Sequence, residues 1–232
     1  MRSSGAARVR GAGHCRPRRI VAPLVFAVGL AALVGAVASP TPAAVPTPSP
    51  VEAVRFAIVP AASTVTYRVG ETFFADNRFA EAVGTTHAIQ GEVLVDRAHP
   101  ANSRIGPISI DISTFQSDEA RRDRAIRQRW LESTKYPTAQ FTPTAIKGLP
   151  GAYTEGQEMP VQVAGNLRVR NVTRPVTFAG TVKLAGDTLS GAFETMILMT
   201  DFGFDPPSIL GMLKSENQVK LELRFTAQRT QG

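Results

Sequence analysis

The chain is 232 residues long and carries a formal net charge of +7. Six arginines (Arg2, Arg8, Arg10, Arg16, Arg18 and Arg19) fall in the first twenty residues, which hold no Asp or Glu; taking them from 26 Lys+Arg leaves 20, against 19 Asp+Glu. The rest is therefore nearly neutral, which removes the charge argument for a nucleic-acid binder, and the single cysteine, Cys15, leaves the chain after it without disulfides, thiolate nucleophiles or Cys-metal sites.

The arginines lead into an apolar run, IVAPLVFAVGLAALVGAVA (20–38), that ends in the small-x-small pattern Ala36-Val37-Ala38. Residues 1–38 read as a signal peptide or, because nineteen apolar residues also suffice to span a bilayer, as an uncleaved signal anchor. In either case the chain that follows is expected outside the cytoplasmic membrane: periplasmic, secreted or anchored on its outer face. Residues 39–54 carry prolines at 40, 42, 46, 48 and 50 and read as a polyproline-II-like spacer. A single domain is expected over 55–232.

That domain reads as strands. Alternation of apolar and polar residues recurs in STVTYRV (63–69), HAIQGEVLVD (87–96), ISIDIST (108–114) and PTAQFTPTAI (137–146). It continues in VQVAGNLRVR (161–170), PVTFAGTVKL (175–184), DTLSGAFETMILM (187–199) and QVKLELRFTAQ (218–228). Period-two alternation gives each strand one apolar and one wet face. With no second layer of helices, about eight antiparallel strands predict an all-β barrel or sandwich, and an eight-stranded barrel either fills with side chains or holds one elongated ligand. Gly165 is expected to bend its strand, and AGD (185–187) to turn a hairpin.

One helix is expected, in DEARRDRAIRQRWLESTKYP (118–137), with Ser117 as cap and Ile126 and Trp130 packing downward at i, i+4. Its arginines either meet an anionic headgroup or form a solvated face paired with Asp118, Glu119, Asp123 and Glu132. Without an aromatic stacking platform they do not form a nucleic-acid patch.

Four co-linear segments, ISIDISTFQSDEARRD, KYPTAQFTPTAI, VAGNLRVRNVTRPVTF and MTDFGF, resemble the YceI-like family of exported polyisoprenoid- and lipid-binding proteins. The resemblance covers roughly residues 60–228 and implies a lipocalin-like antiparallel barrel around an isoprenoid or quinone-type lipid. It places the headgroup near Arg121, Arg122 and Asp123. Where the family often carries a histidine after Arg-Asp, this chain has Arg124-Ala125-Ile126-Arg127, and 71–88 is a longer insertion.

The residues themselves offer Ile110, Ile112, Phe141, Val163, Leu167, Phe178, Phe193 and Phe225 as an inward apolar set, either a packed core or a tunnel for a lipid tail. The loop 205–215, with Ile209, Leu210, Met212 and Leu213, covers the barrel mouth or packs beneath it. Asp201-Phe202-Gly203 occurs without the rest of a kinase signature, and the sequon at Asn171 falls at a hairpin turn. For catalysis only His87 and His99 remain beyond the apolar run, with no nucleophile motif or metal spacing. The expectation is therefore a binding protein with no metal, cofactor or catalytic residues. A structural or partner-binding barrel is the alternative, and a lipid-modifying enzyme a more distant one.

Overall fold

The computed structural model describes residues 53–209 and 211–230. The segments read above as signal or anchor and most of the spacer lie outside the described residues. In chain order the strands are β1 (Ala53–Ile58), β2 (Thr64–Phe73), β3 (Arg78–Thr86), β4 (Ile89–Gln90), β5 (Glu92–Asp96), β6 (Arg104–Ile105), β7 (Ile108–Asp111) and β8 (Gln116–Ser117). A short helix α1 (Ala120–Ala125) and one π-helical turn (Ile126–Trp130) follow. Then come β9 (Thr138–Lys147), β10 (Glu158–Val169), β11 (Val172–Ala185), β12 (Thr188–Leu198), β13 (Ser208–Ile209), β14 (Leu213–Ser215) and β15 (Gln218–Arg229).

The pairing closes a ring. The chain from β1 to β2 forms one long, bent strand, and β3, β4 and β5 form a second that runs back along it, from Phe73↔Arg78 to Ala53↔Asp96. The far edge of this second strand pairs with β8, β7 and β6, so these three pieces make a third. Next, β7 pairs with β9, β9 with β10, β10 with β11, β11 with β12 and β12 with β15. Finally β15 returns to β2 and β1, which closes eight antiparallel strands with no open edge between them. The whole ring lies between residues 53 and 229. This is an all-β, eight-stranded barrel, one of the two architectures the alternation left open and the lipocalin-like one that the resemblance implied.

Its bends are stapled. A 3-10 turn (Pro60–Ala62) separates β1 from β2, and the buried Ser63 hydroxyl donates to Val59 O (2.8 Å) while accepting from Thr226 N (3.1 Å). His87 sits at the matching bend, its Nδ1 2.6 Å from Ser63 O. In β10 the register shifts at Ala164/Gly165, where a Cβ on Gly165 would run into the Phe141 ring. Gly186, at positive φ, turns the β11–β12 hairpin. The β11 and β12 strands part beyond Ala179↔Glu194. Beyond that point a 3-10 turn (Met199–Phe202) buries Phe202, and Arg174 Nε donates to Asp201 O (2.9 Å). The Asp-Phe-Gly fragment thus belongs to this turn.

Three readings of the sequence need adjustment. Ala53 and Val54 belong to β1, not to the spacer. The segment 71–88, set apart above as an insertion, is part of the ring: it completes β2, turns, and runs back as β3. The helical cap is Glu119, whose carboxylate accepts from Arg121 N, and Ser117 belongs to β8.

Candidate functional site

Period-two register turns one face of every strand inward, and along β15 this brings Val219, Leu221, Leu223 and Phe225 to the interior. The interior is hollow. A cavity of about 510 Å³ runs through the barrel, walled almost entirely by apolar side chains. All eight residues of the apolar set line it: Ile110, Ile112, Phe141, Val163, Leu167, Phe178, Phe193 and Phe225. Phe141 and Phe178 meet edge to face at 5.0 Å, and Phe193 stacks on Phe225 at 6.3 Å. Ile126 and Trp130 of the π-helical turn also face the cavity.

The exposed members of the lining, Glu119, Arg121 and Ile209, all lie beside the end of β2, so the cavity approaches the surface there. The inward face of β2 carries Val65, Tyr67, Val69, Glu71 and Phe73. Alternation therefore delivers a carboxylate, Glu71, into an apolar wall. Its side chain is 6% exposed and pairs with Arg122 Nη2 at 3.2 Å. Arg122 also bonds the exposed Asp118. Burial works against the Arg122 charge, but Glu71 and Asp118 outweigh it, and the guanidinium holds its proton more tightly than usual.

Two buried hydroxyls lie near this pair without a hydrogen-bond partner among the described residues. Ser215 stands opposite Glu71 in the β14–β2 ladder, 2% exposed. Tyr67 stands four residues before Glu71 on the same face. The Tyr67 ring packs edge to face on Phe115 at 5.1 Å and lies against Gly84, where a side chain would collide with it. Burial, with the Asp123 charge adding to it, pushes the Tyr67 hydroxyl up to about 12. The hydroxyl is thus a neutral donor at any ordinary pH. Together the four groups offer hydroxyl donors, a guanidinium fork and a carboxylate acceptor at one end of an apolar chamber.

Of the expected headgroup residues, the structure brings Arg121 and Arg122 to the cavity. Asp123 is not in the lining; its carboxylate accepts from Ser117 N (2.9 Å) and Ser117 Oγ (2.6 Å) and ties α1 to β8. Of the expected acidic partners of the arginines, Asp118 pairs with Arg122, whereas Glu132 pairs with Arg170 at 2.9 Å. His87 serves the bend, His99 is 73% exposed, and neither lines the cavity. Tyr67, Glu71 and Ser215 were not singled out from the sequence. The signal for Glu71 was present, since Val65, Tyr67 and Val69 continue in step to Glu71 and Phe73.

A hollow eight-stranded barrel with an apolar chamber and polar groups gathered at one end defines a lipocalin-like binding architecture. The model of the YceI-like domain matches residues 56–227, and the chain belongs to that family. Protein YceI of Shigella flexneri is 30% identical over 105 residues, 45% of this chain and 50% of that protein. A UPF0312 protein of Pseudomonas putida (strain GB-1) is 32% identical over 133 residues, 53% of this chain and 64% of that protein. The chain thus spans between half and two thirds of these relatives. Among solved structures, Burkholderia cenocepacia BcnA superposes with a TM-score of 0.55 at 19% identity, over 74% of this chain and 99% of that one. A polyisoprenoid binding domain from Saccharophagus degradans superposes with a TM-score of 0.57 at 12% identity, over 77% of this chain and 100% of that one. These likenesses show the fold.

Proposed function

We propose that the barrel carries one long-chain isoprenoid lipid, with the tail in the chamber and the head between Tyr67, Ser215 and the Glu71–Arg122 pair. The observation that carries this reading is the hollow apolar chamber whose unpaired hydroxyls lie toward one end. Tail burial supplies the affinity, about 0.8 kcal/mol for each CH₂ removed from water. The structural likeness to a polyisoprenoid binding domain supports the choice of an isoprenoid tail.

The charge balance favours an uncharged head. Arg122 is compensated by Glu71 and Asp118, the exposed Arg121 of the lining has the exposed carboxylate of Glu119 beside it, and the Asp123 charge also bears on Tyr67. A pyrophosphate would meet carboxylates on several sides, whereas a quinone carbonyl or a prenol hydroxyl can take the donors of Tyr67 and Ser215. The role is read as binding rather than catalysis, because the Glu71 carboxylate beside Ser215 is committed to Arg122 and neither His87 nor His99 lines the cavity. An address outside the cytoplasm accords with the arginine-led apolar run at 20–38.

Competition titration with a prenylquinone, a polyprenol and a polyprenyl pyrophosphate of equal tail length tests the reading. The two neutral ligands are expected to bind at least tenfold more tightly. Preference for the pyrophosphate would overturn the neutral-head assignment, and binding by none of the three would overturn carriage itself.

A further inference from the structure

The segment 117–137 crosses the head end of the barrel. Pairing runs from β2 through β3, the strand made of β8 and β7, and β9 to β10, which puts β10 across the ring from β2. On one side Arg122 and Asp123 tie the segment to Glu71 of β2 and Ser117 of β8. On the other, Arg170 in the β10–β11 turn donates to Trp130 O (Nη1, 3.3 Å) and to Glu132 Oε2 (Nη2, 2.9 Å). Its guanidinium also stands 6.0 Å from the ring centres of Tyr136 and Phe204. Between these ties Ala125, Ile126, Trp130 and Leu131 line the chamber, yet no residue of α1 or the π-helical turn is buried. The segment is a roof held more by its ends than by buried side chains.

Two observations single out the Arg170 end. Glu132 (φ 46°) and Arg170 (φ 56°) both adopt the left-handed backbone, which is costly for most side chains; the other such residue among those described is Asn77, a type that tolerates it. Arg170 holds the first central position of a two-residue hairpin turn, where glycine or asparagine fits best. Local strain is thus concentrated in the two partners of one ion pair. The polar groups there are also incompletely met. The Ser133 hydroxyl (1% exposed), Arg127 Nε and Arg170 Nε are buried without a partner among the described residues, and none of these three residues lines the chamber. Lifting the roof returns these groups to water, which offsets part of the cost of breaking the Arg170 bonds. The tie is cheap to release, whereas the ring beneath it is held by continuous ladders.

We propose that Arg170 is the latch of this roof: when its bonds to Trp130 and Glu132 break, residues 120–136 lift and the chamber exchanges its ligand through the space they leave. Arg170 touches no ligand. It is a positioning residue that keeps Trp130 and Leu131 over the chamber. The lifting rests on the geometry of the roof itself, and its use in exchange rests on the carrier reading above.

Hydrogen exchange and ligand kinetics on the compact unit 48–232, which contains the whole hydrogen-bonded ring, test it. Arg170→Gly removes the latch and relaxes the turn, so the ring should stay folded, with the amides of β10 and β11 exchanging as in the parent. Amides of 120–136 should exchange about tenfold faster. Prenylquinone uptake and release can be followed by quenching of Trp130, the single tryptophan of the chain and a member of the lining. Both rates should rise about tenfold and leave the affinity within about twofold, because the latch is made whether the chamber is full or empty. Arg174→Met, on the same hairpin but bonded to Asp201 O, should change neither rate. Parental exchange of 120–136 in Arg170→Gly, or equal acceleration in Arg174→Met, would overturn the latch. So would a loss of affinity as large as the gain in release rate, the mark of a brace whose removal deforms the site. If the roof amides respond as predicted but no prenylquinone binds, the latch stands and the carrier reading fails.

Discussion

Two tyrosines face the same cavity from different places and are treated differently by the fold. Tyr153, toward the base, sets its hydroxyl 2.7 Å from Glu155 Oε2 and 2.9 Å from Leu184 O. Tyr67, toward the head, has no partner among the described residues. Burial first, then a nearby carboxylate, pushes each up to about 12. The surroundings repeat the contrast. At the base Arg97 bonds Gly186 O, and Asp96 accepts from His99 N (2.8 Å) and Asn102 Nδ2 (3.3 Å). At the head the Ser215 hydroxyl joins Tyr67 in lacking a partner. The hydroxyl and carboxylate at the base hold the loops in place, with only Arg97 Nε buried there without a partner among the described residues, whereas at the head two hydroxyls are left over after folding. Since a buried unpaired hydroxyl costs about 1–3 kcal/mol, leftover donors beside an apolar chamber point to a ligand that satisfies them.

The contrast can be tested by substitution. The largest effect should follow from blocking the chamber between the two ends. Val163→Trp should abolish prenylquinone binding, a loss of more than a hundredfold, with the melting temperature held or raised because the indole fills empty space. In a filled core the same change would cost about 1–3 kcal/mol. Calorimetry beside the titration separates the two.

Next comes the ion pair, which joins both roles. Arg122→Ala leaves the Glu71 carboxylate buried without its partner and should cost about 3 kcal/mol in denaturant unfolding. The pair Arg122→Met/Glu71→Leu should restore stability while head recognition stays lost. If the double variant binds quinone like the parent, the pair is structural only.

The tyrosines themselves give a crossed result. Tyr67→Phe removes a donor that the empty barrel leaves unpaired. Stability should hold or rise slightly, and quinone affinity should fall by about 2- to 13-fold, the worth of one hydrogen bond. Tyr153→Phe should lose about 1 kcal/mol of stability and keep its affinity. Equal effects on both quantities at both sites would erase the distinction between the ends.

The smallest effect concerns acid. The His99 backbone N–H holds the Asp96 carboxyl below the usual carboxylate range. A group depressed in the folded state contributes stability above its unfolded value of about 3.9, and that contribution is lost as pH falls through the folded value. Asp96→Asn should therefore flatten the decline in stability below about pH 4 and leave quinone binding at neutral pH unchanged.

The ring of strands was largely legible in the sequence, because alternation is a local property and eight apolar rows leave few architectures. The eight inward residues of the cavity set follow from the same rule. What stayed hidden has a physical cause in each case. Strand β3, RFAEAVGTT, turns Ala82, Gly84 and Thr86 inward, residues too small to register as an apolar row. At Gly84 the reason is plain, since the Tyr67 ring occupies the space a side chain would need. With β3 unread, β2 seemed to stop at Val69, and Glu71 fell outside it. Ser215 becomes a site residue only through its pairing across to Glu71, 144 positions earlier in the chain. The hollow interior is likewise a sum over all eight strands, since the same apolar residues can fill a barrel or line one.

The most direct test of the central claim is mass spectrometry of the organic extract from the natively purified unit 48–232. A one-to-one content of a long isoprenoid lipid with an uncharged head is the predicted result. An extract with only trace phospholipid, from protein that also fails to take up added prenylquinone, would contradict it.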